Sequence, residues 1–223
     1  MGDCIQHLSP VPGKNTVVVH AGGSRFEIAG TAAAELGLVP GLEITERMRQ
    51  ALVAAASRRE AAARVLRWLR GRPRTERDVR RYLETRGFVA EVGESVVAEL
   101  RKQGLVDDAR FAQWFVEAQL SRRPVALAVL EAALAAQGVP EPEAEVALAA
   151  WRGRSDEKEL ALAAARQRLP ACRGLPPAKA AARLGRYLAA RGFGLETVGE
   201  VCRALLGQEP GEDDAGSGRS RFG

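Results

Sequence analysis

The chain contains few of the residues that catalytic and metal sites need, since its 223 residues include only two histidines and three cysteines. Acid–base and nucleophilic catalysis need a base held beside a nucleophile, and His7 and His20 both lie near the N-terminus. Cys4, Cys172 and Cys202 are scattered, without the spacing of a metal site or of a disulfide framework. The sequence therefore predicts no enzyme, no cofactor and no metal ion.

Long apolar runs are missing as well. No segment approaches the roughly 18–20 apolar residues that cross a bilayer, and the N-terminal residues contain no apolar stretch of the kind found in secretion signals. An odd number of scattered cysteines is typical of a reducing compartment. We therefore expect a cytoplasmic protein with no membrane partner. We also expect the chain to be a monomer.

Aromatic residues make up only 5% of the chain although 46% of it is hydrophobic, so Ala, Leu and Val must supply the core, as in helix-rich proteins. One pattern marks three predicted helix ends: Leu, three residues, Gly, and then a hydrophobic residue. Glycine adopts the left-handed conformation that ends a helix, and the next residue folds back onto the leucine. The pattern runs from Leu83 through Gly87 to Phe88, from Leu134 through Gly138 to Val139, and from Leu188 through Gly192 to Phe193.

The three glycines are 51 and 54 residues apart, which predicts three successive units of three helices each. The predicted fold is mainly α, with tandem three-helix repeats in an elongated, curved array that follows a small N-terminal β-hairpin and helix. The predicted divisions are a flexible N-terminus (1–13), a hairpin-plus-helix domain (14–56), three repeats (57–106, 107–153 and 154–206) and a disordered tail (207–223).

Local signals set the first of these boundaries. Gly22-Gly23 predicts the turn of the hairpin, and Thr31 is the predicted cap of the short helix after it. Ser57 and Glu60 have the spacing of a capping box. We therefore predict that a new helix, and with it the repeat region, begins at Ser57.

The charge of the chain is concentrated in one stretch. Arginine outnumbers lysine 29 to 4, and between residues 57 and 86 eleven arginines accompany four acidic residues, a net +7 in a chain of net +5. Basic helices of this kind bind polyanions, either phosphates or acidic protein surfaces, and the alternative is a solvated face without a partner. The candidate partner- or DNA-binding residues are Arg64, Arg67, Arg72, Arg74, Arg77, Arg80 and Arg81.

Arg72 and Arg74 flank Pro73 just before Thr75, the predicted N-cap of the next helix, so two guanidinium groups and a helix N-terminus form a candidate anion site. In the alternative, Arg74 only pairs with Glu76 or Asp78 and holds the turn in place.

Two further groups allow more than one interpretation. Asp107 and Asp108 are predicted to cap a helix, because carboxylates there meet exposed backbone N–H groups, and a metal pair is the alternative. Trp68, Trp114 and Trp151 are expected to pack against neighbouring helices, and stacking on nucleic-acid bases is the alternative.

Three motifs follow one another between residues 72 and 112: a basic Arg72-Pro-Arg-Thr turn, the Gly87-Phe88 helix end, and a junction that reads Gly-Leu-Val-Asp-Asp-Ala-Arg-Phe-Ala from Gly104. Together with the final Gly192-Phe193 pair, they resemble the RecX family over residues 58–206. The segment before them is similar to the N-terminal extension that many members carry.

The resemblance implies a regulator that binds the RecA recombinase and its filament on single-stranded DNA, and that inhibits its ATPase and recombination activity. It implies a place in homologous recombination, DNA repair and the SOS response. In the family, the middle helix of the second repeat usually carries several Arg or Lys, whereas residues 124–130 of this chain carry none. The predicted basic contacts are therefore concentrated in the first repeat. The alternative is a helical protein that binds DNA or RNA directly, without RecA.

Overall fold

The computed structural model describes residues 3–153 and 156–207. The predicted tail lies outside the described residues except for Gly207. The fold is mainly α with a small N-terminal antiparallel sheet, as the sequence predicted. It divides into two compact units, Met1–Asp107 (unit 1) and Asp108–Gly223 (unit 2), and each is described by itself. The predicted division into three repeats stays a prediction.

Three antiparallel strands open unit 1: β1 (Ile5–Pro10), β2 (Thr16–Ala21) and β3 (Ser24–Ala29), in the order β1-β2-β3. The predicted hairpin is β2–β3, which pairs in register from Thr16 opposite Ala29 to Ala21 opposite Ser24. Two successive glycines with positive φ make its turn, as a tight hairpin with right-twisted strands requires.

The expectation of a flexible segment over residues 1–13 is wrong for Ile5–Pro10, because β1 pairs with β2 and forms an edge of the sheet. Ile5 is 1% exposed, and its backbone N–H donates to the Leu42 carbonyl at 2.9 Å. Pro10 ends the strand at the edge, where a missing N–H removes no ladder hydrogen bond. Pro10 is therefore compatible with an edge strand.

The helices of unit 1 are α1 (Gly30–Glu35), α2 (Glu46–Leu69), α3 (Glu76–Glu84) and α4 (Ala90–Lys102). Ala29 precedes α1 without a side-chain cap, so the prediction that Thr31 caps this helix is wrong. The helix start predicted at Ser57 is also wrong, since α2 is continuous from Glu46 and is capped by Thr45, whose Oγ1 accepts from Met48 N at 3.2 Å.

Burial on both sides of Ser57 explains why α2 does not break there. Leu52 and Ala55 belong to the core cluster beneath the sheet, whereas Ala61 and Val65 belong to the cluster formed with α3 and α4. A break at Ser57 would rotate one of these apolar stripes away from its core, so packing overrides the local capping signal.

Unit 2 contains α5 (Asp108–Arg122), α6 (Leu127–Gln137), α7 (Glu141–Arg152), α8 (Glu157–Arg168), α9 (Pro177–Ala189) and α10 (Leu195–Leu206), with a 3₁₀ turn at Leu169–Cys172. These helices confirm those predicted for the second and third repeats; the 3₁₀ turn was not predicted. A single core cluster runs through all six, from Phe111 of α5 to Cys202 of α10. Burial in that core raises the pKa of the Cys202 thiol to about 11.

The three helix ends marked by the leucine–glycine pattern share one geometry. Gly87, Gly138 and Gly192 have φ of +80°, +78° and +81°. The residue after each glycine donates its backbone N–H to the carbonyl of the leucine: Phe88 to Leu83 at 3.2 Å, Val139 to Leu134 at 3.1 Å, and Phe193 to Leu188 at 3.4 Å. Each helix therefore ends in a Schellman motif, which sets the direction in which the chain leaves the helix.

The same motif ends α4, where Leu105 N donates to Leu100 O at 2.9 Å and Gly104 has φ of +65°. Leu100, Gly104 and Leu105 repeat the sequence pattern, so this fourth end was visible in the sequence and was missed.

Gly192 is constrained by its surroundings as well as by its φ. A Cβ at this position would overlap Cγ2 of Val129 in α6, whereas a Cβ at Gly87 would have no atom within 4 Å. The adjacent Arg191 carbonyl accepts the Ala126 N–H at 3.0 Å. The loop after α9 is therefore held against the start of α6.

We predict that Gly192→Ala destabilises the protein more than Gly87→Ala does. Each alanine enters a left-handed conformation at a cost of about 1–2 kcal/mol, and at Gly192 the overlap with Val129 adds about 1–3 kcal/mol. Urea unfolding followed by circular dichroism measures the difference. Equal losses of stability in the two variants would contradict the close approach of the α9 loop to α6.

Candidate functional site

The seven arginines singled out by the sequence lie on three consecutive pieces of unit 1: the C-terminal half of α2, the turn over residues 70–75, and α3. Thr75 fixes this turn. Its side chain is fully buried, and its Oγ1 accepts the backbone N–H of Asp78 at 3.1 Å, which makes it the N-cap of α3. Arg72 and Arg74 therefore stand immediately before a capped helix N-terminus.

Arg74 packs on an aromatic pair. Its Cζ lies 4.2 Å from the ring centroid of Trp68, and the Trp68 and Tyr82 rings are stacked with centroids 4.3 Å apart and planes 18° apart. The Cζ of Arg86 lies 3.7 Å from the Tyr82 centroid. We call these four residues, Arg74, Trp68, Tyr82 and Arg86, the arginine–aromatic stack.

Within the part of the chain that the structure describes, Arg74 packs on Trp68 and forms no ion pair. Burial lowers the pKa of Arg74, and the nearby charge of Arg72 lowers it further, while Asp78 acts in the opposite direction. The Nε of Arg74 is buried with no hydrogen-bond partner. Within the described residues Arg74 forms no ion pair with Glu76 or Asp78, so the alternative in which it only holds the turn through such a pair is wrong.

Arg80 has a different environment. Its Nη2 lies 2.9 Å from Glu76 Oε2 and its Nε lies 2.7 Å from Glu94 Oε1. The hydrogen bond to Glu94, and then that to Glu76, raise its pKa. Because Glu94 belongs to α4, Arg80 connects α3 to α4, and its charge is already paired within the fold.

Arg64 is paired as well, since its Nε donates to Glu60 Oε1 at 3.1 Å one turn earlier in α2. Arg67, Arg72, Arg77 and Arg81 are exposed. We call these four exposed residues, with Arg74, the basic surface. Arg77 and Arg81 are four residues apart in α3 and therefore share a face of that helix.

Trp68, Tyr82 and Arg86 were missed as members of the site. Tyr82 and Arg86 are separated by four residues, a spacing that places them side by side at a helix end and that the sequence shows. The contact of Trp68 in α2 with Tyr82 in α3 is tertiary, and no local pattern reveals it.

The remaining candidate residues, two aspartates and three tryptophans, lie at the start of a helix or on the sides of helices. Asp107 directly precedes α5 and Asp108 is its first residue, where carboxylates meet backbone N–H groups. Residues 3–153 and 156–207 contain no cluster of three or more His, Cys, Asp or Glu side chains arranged to hold a metal ion. Trp68 and Trp151 are half-buried as expected, but Trp114 is 44% exposed.

Among the helices of the described part, none has both the length and the apolar character of a membrane-crossing segment.

The comparisons with known proteins agree with one another. The family profile described as RecX, first three-helix domain, matches residues 61–100, which include all five residues of the basic surface. The regulatory protein RecX of Streptomyces coelicolor is 33% identical over 163 residues, covering 73% of this chain and 86% of that protein. The regulatory protein RecX of Geobacillus kaustophilus is 29% identical over 127 residues, or 56% of this chain and 47% of that protein.

Two solved structures share the fold. The crystal structure of a regulatory protein RecX aligns with a TM-score of 0.75 at 22% identity, covering 91% of this chain and 99% of that one. RecX from Lactobacillus salivarius aligns with a TM-score of 0.59 at 17% identity, covering 68% of this chain and 97% of that one.

We predict a measurable energetic coupling between Arg74 and Trp68. A guanidinium over an indole ring contributes about 0.5–1 kcal/mol, so the single variants Arg74→Ala and Trp68→Ala should destabilise unit 1 by more in sum than the double variant does. A double-mutant cycle by urea unfolding measures this coupling. A matched cycle with Arg72→Ala, whose side chain is exposed, should give a value close to zero. Equal coupling in the two cycles would contradict the stack.

Proposed function

This chain belongs to the RecX family of regulatory proteins, and from that premise we propose that it binds the RecA recombinase assembled on single-stranded DNA and inhibits its ATPase and recombination activity. The protein acts by occupying the filament rather than by chemistry, in the cytoplasm and as a monomer. It acts in homologous recombination, in DNA repair and in the SOS response.

The observation that carries this proposal is the basic surface within the matched three-helix segment. Its exposed arginines are part of the net +7 charge of residues 57–86. Within the described residues, Arg74 forms no ion pair with a carboxylate. A filament of RecA on DNA offers two polyanionic targets, the phosphates of the strand and acidic side chains of the protein. Both are recognised by guanidinium groups, which bind oxyanions in a bidentate way.

The arginine–aromatic stack would make that recognition more efficient. Arg74 is held over Trp68 in the free protein, so less rotamer freedom is lost when its outer N–H groups meet an anion. The capped N-terminus of α3 directs the positive end of the helix dipole to the same region. The arginines paired within the fold, Arg64 and Arg80, stabilise the helices that present the surface.

A second candidate function is direct binding of DNA or RNA without RecA. The concentration of arginine on α2 and α3 favours it, because phosphate contacts alone support nucleic-acid binding that is independent of sequence. The two functions differ in whether RecA is needed for tight binding.

We predict that Arg72→Glu/Arg74→Glu markedly weakens binding to RecA filaments on single-stranded DNA. The change replaces two cations of the basic surface by anions, so the dependence of binding on salt should also become shallower. Co-sedimentation with filaments and the rate of RecA ATP hydrolysis measure the two effects, and circular dichroism should show unchanged helicity.

Two further variants make the result specific. Arg47→Glu/Arg58→Glu changes the charge by the same amount at exposed positions of α2 outside the basic surface, and it should bind nearly as the original protein does. Arg72→Glu/Arg81→Glu leaves the arginine–aromatic stack intact and should still weaken binding. If both basic-surface variants matched the α2 control in affinity and salt dependence, the basic surface would be only a solvated face.

A further inference from the structure

A second group of arginines lies in unit 2, on segments far apart in the sequence. Arg168 is the last residue of α8, Arg191 follows α9, and both pack on Tyr187 of α9. The Cζ of Arg191 lies 3.6 Å from the Tyr187 ring centroid and that of Arg168 lies 5.4 Å from it. Arg123, just after α5, is close enough for its charge to act on Arg191. We call these four residues the Tyr187 cluster.

No acidic side chain neutralises this cluster within the described residues. Arg123, Arg168 and Arg191 form no ion pair, and the Nε atoms of Arg168 and Arg191 are buried without a hydrogen-bond partner. Elsewhere in unit 2, Arg152 pairs with Glu145 at 2.5 Å, and Lys158 pairs with Glu200 at 2.7 Å. Among the described basic side chains of unit 2, Arg168 and Arg191 are the ones with a buried nitrogen that has no hydrogen-bond partner.

Like charges gathered in this way disfavour the folded state. Burial lowers the pKa of Arg191 most, Tyr187 acts in the opposite direction, and the positive charges of Arg123 and Arg168 lower the pKa further. Packing of a guanidinium on a tyrosine ring at a partly exposed site contributes only a small stabilisation. A local arrangement that opposes stability is typical of a binding site, because a ligand of opposite charge removes the repulsion.

The backbone fixes the cluster before any ligand arrives. The Ala126 N–H donates to the Arg191 carbonyl at 3.0 Å, which connects the segment that carries Arg123 to the loop that carries Arg191. Gly192, in its left-handed conformation, lies directly against α6. The loop after α5 and the loop after α9 therefore hold the backbones of Arg123 and Arg191 near each other, and Tyr187 packs against two of the three guanidinium groups.

We propose that Arg123, Arg168 and Arg191 form a phosphate-binding site in unit 2, which takes either a phosphodiester of a nucleic-acid strand or the phosphate group of a nucleotide. Three guanidinium groups match the several oxygens and the charge of a phosphate better than the single charge of one carboxylate. The site belongs to a different unit from the basic surface, and it does not depend on whether the protein binds RecA.

The test measures binding of the full chain to phosphate probes without RecA. A fluorescent single-stranded oligonucleotide of thymidines is titrated with the protein, and inorganic phosphate and ATP are titrated separately by calorimetry. Arg168→Gln/Arg191→Gln should weaken binding of at least one probe by 5-fold or more, on the order expected when two phosphate contacts are lost. Arg123→Gln, at an exposed position, should weaken the same probe without affecting the fold.

The control Arg166→Gln/Arg173→Gln removes the same charge from exposed positions of unit 2, and it should have a smaller effect on every probe. Selective weakening of the oligonucleotide supports a strand phosphate, and selective weakening of ATP or inorganic phosphate supports a nucleotide. Two results would overturn the proposal. One is equal affinities of the cluster variants and the control for all phosphate probes. The other is a loss of affinity that appears only with polyglutamate, which is titrated in the same way as an acidic probe without phosphate. That result would identify a site for acidic protein.

Discussion

The backbone hydrogen bond from Phe88 to the carbonyl of Leu83 ends α3, and bonds of the same kind end α6, α9 and α4. The chain has few aromatic residues to lock one helix against the next, so the direction of each helix depends on how the previous one ends. A left-handed glycine allows only a narrow range of exit directions. The packing of the helices on either side of these ends, and the placement of their arginines, follows from the direction in which the chain leaves each helix.

In unit 1 the residues that stabilise the helices differ from those proposed to bind a partner. Arg80 connects α3 to α4 through Glu94, and Thr75 fixes the start of α3. With the helices held in this way, Arg72 and Arg74 project from a turn that needs no ion pair of its own. Within the described residues, neither Arg72 nor Arg74 at this helix N-terminus forms an ion pair.

The sequence predicted the helices well, since their ends depend on local signals such as the glycine after Leu83 or the Thr75 cap. It failed where tertiary contacts decide the outcome. Strand β1 exists because Ile5 completes a core formed by later residues, and α2 is continuous through Ser57 because both of its halves are buried.

The candidate site likewise depends on tertiary contacts that local sequence patterns do not predict. The concentration of arginine was visible in the sequence, but which of these residues are paired was not. Glu94 reaches Arg80 from the next helix, and Trp68 reaches Arg74 across a turn. The Tyr187 cluster joins three segments separated by tens of residues, and no spacing within any one segment reveals it.

The most direct test of the central claim compares the affinity of the full chain for RecA filaments on single-stranded DNA with its affinity for the same DNA alone, across a range of salt concentrations. Phosphate contacts alone weaken steeply between about 50 and 200 mM salt, whereas contacts with RecA should retain binding at the upper end. The account predicts that the protein remains bound to the RecA filament at a salt concentration at which it dissociates from the naked DNA strand. Equal affinities for both, with equal salt dependence, would contradict it and identify a nucleic-acid-binding protein that acts without RecA.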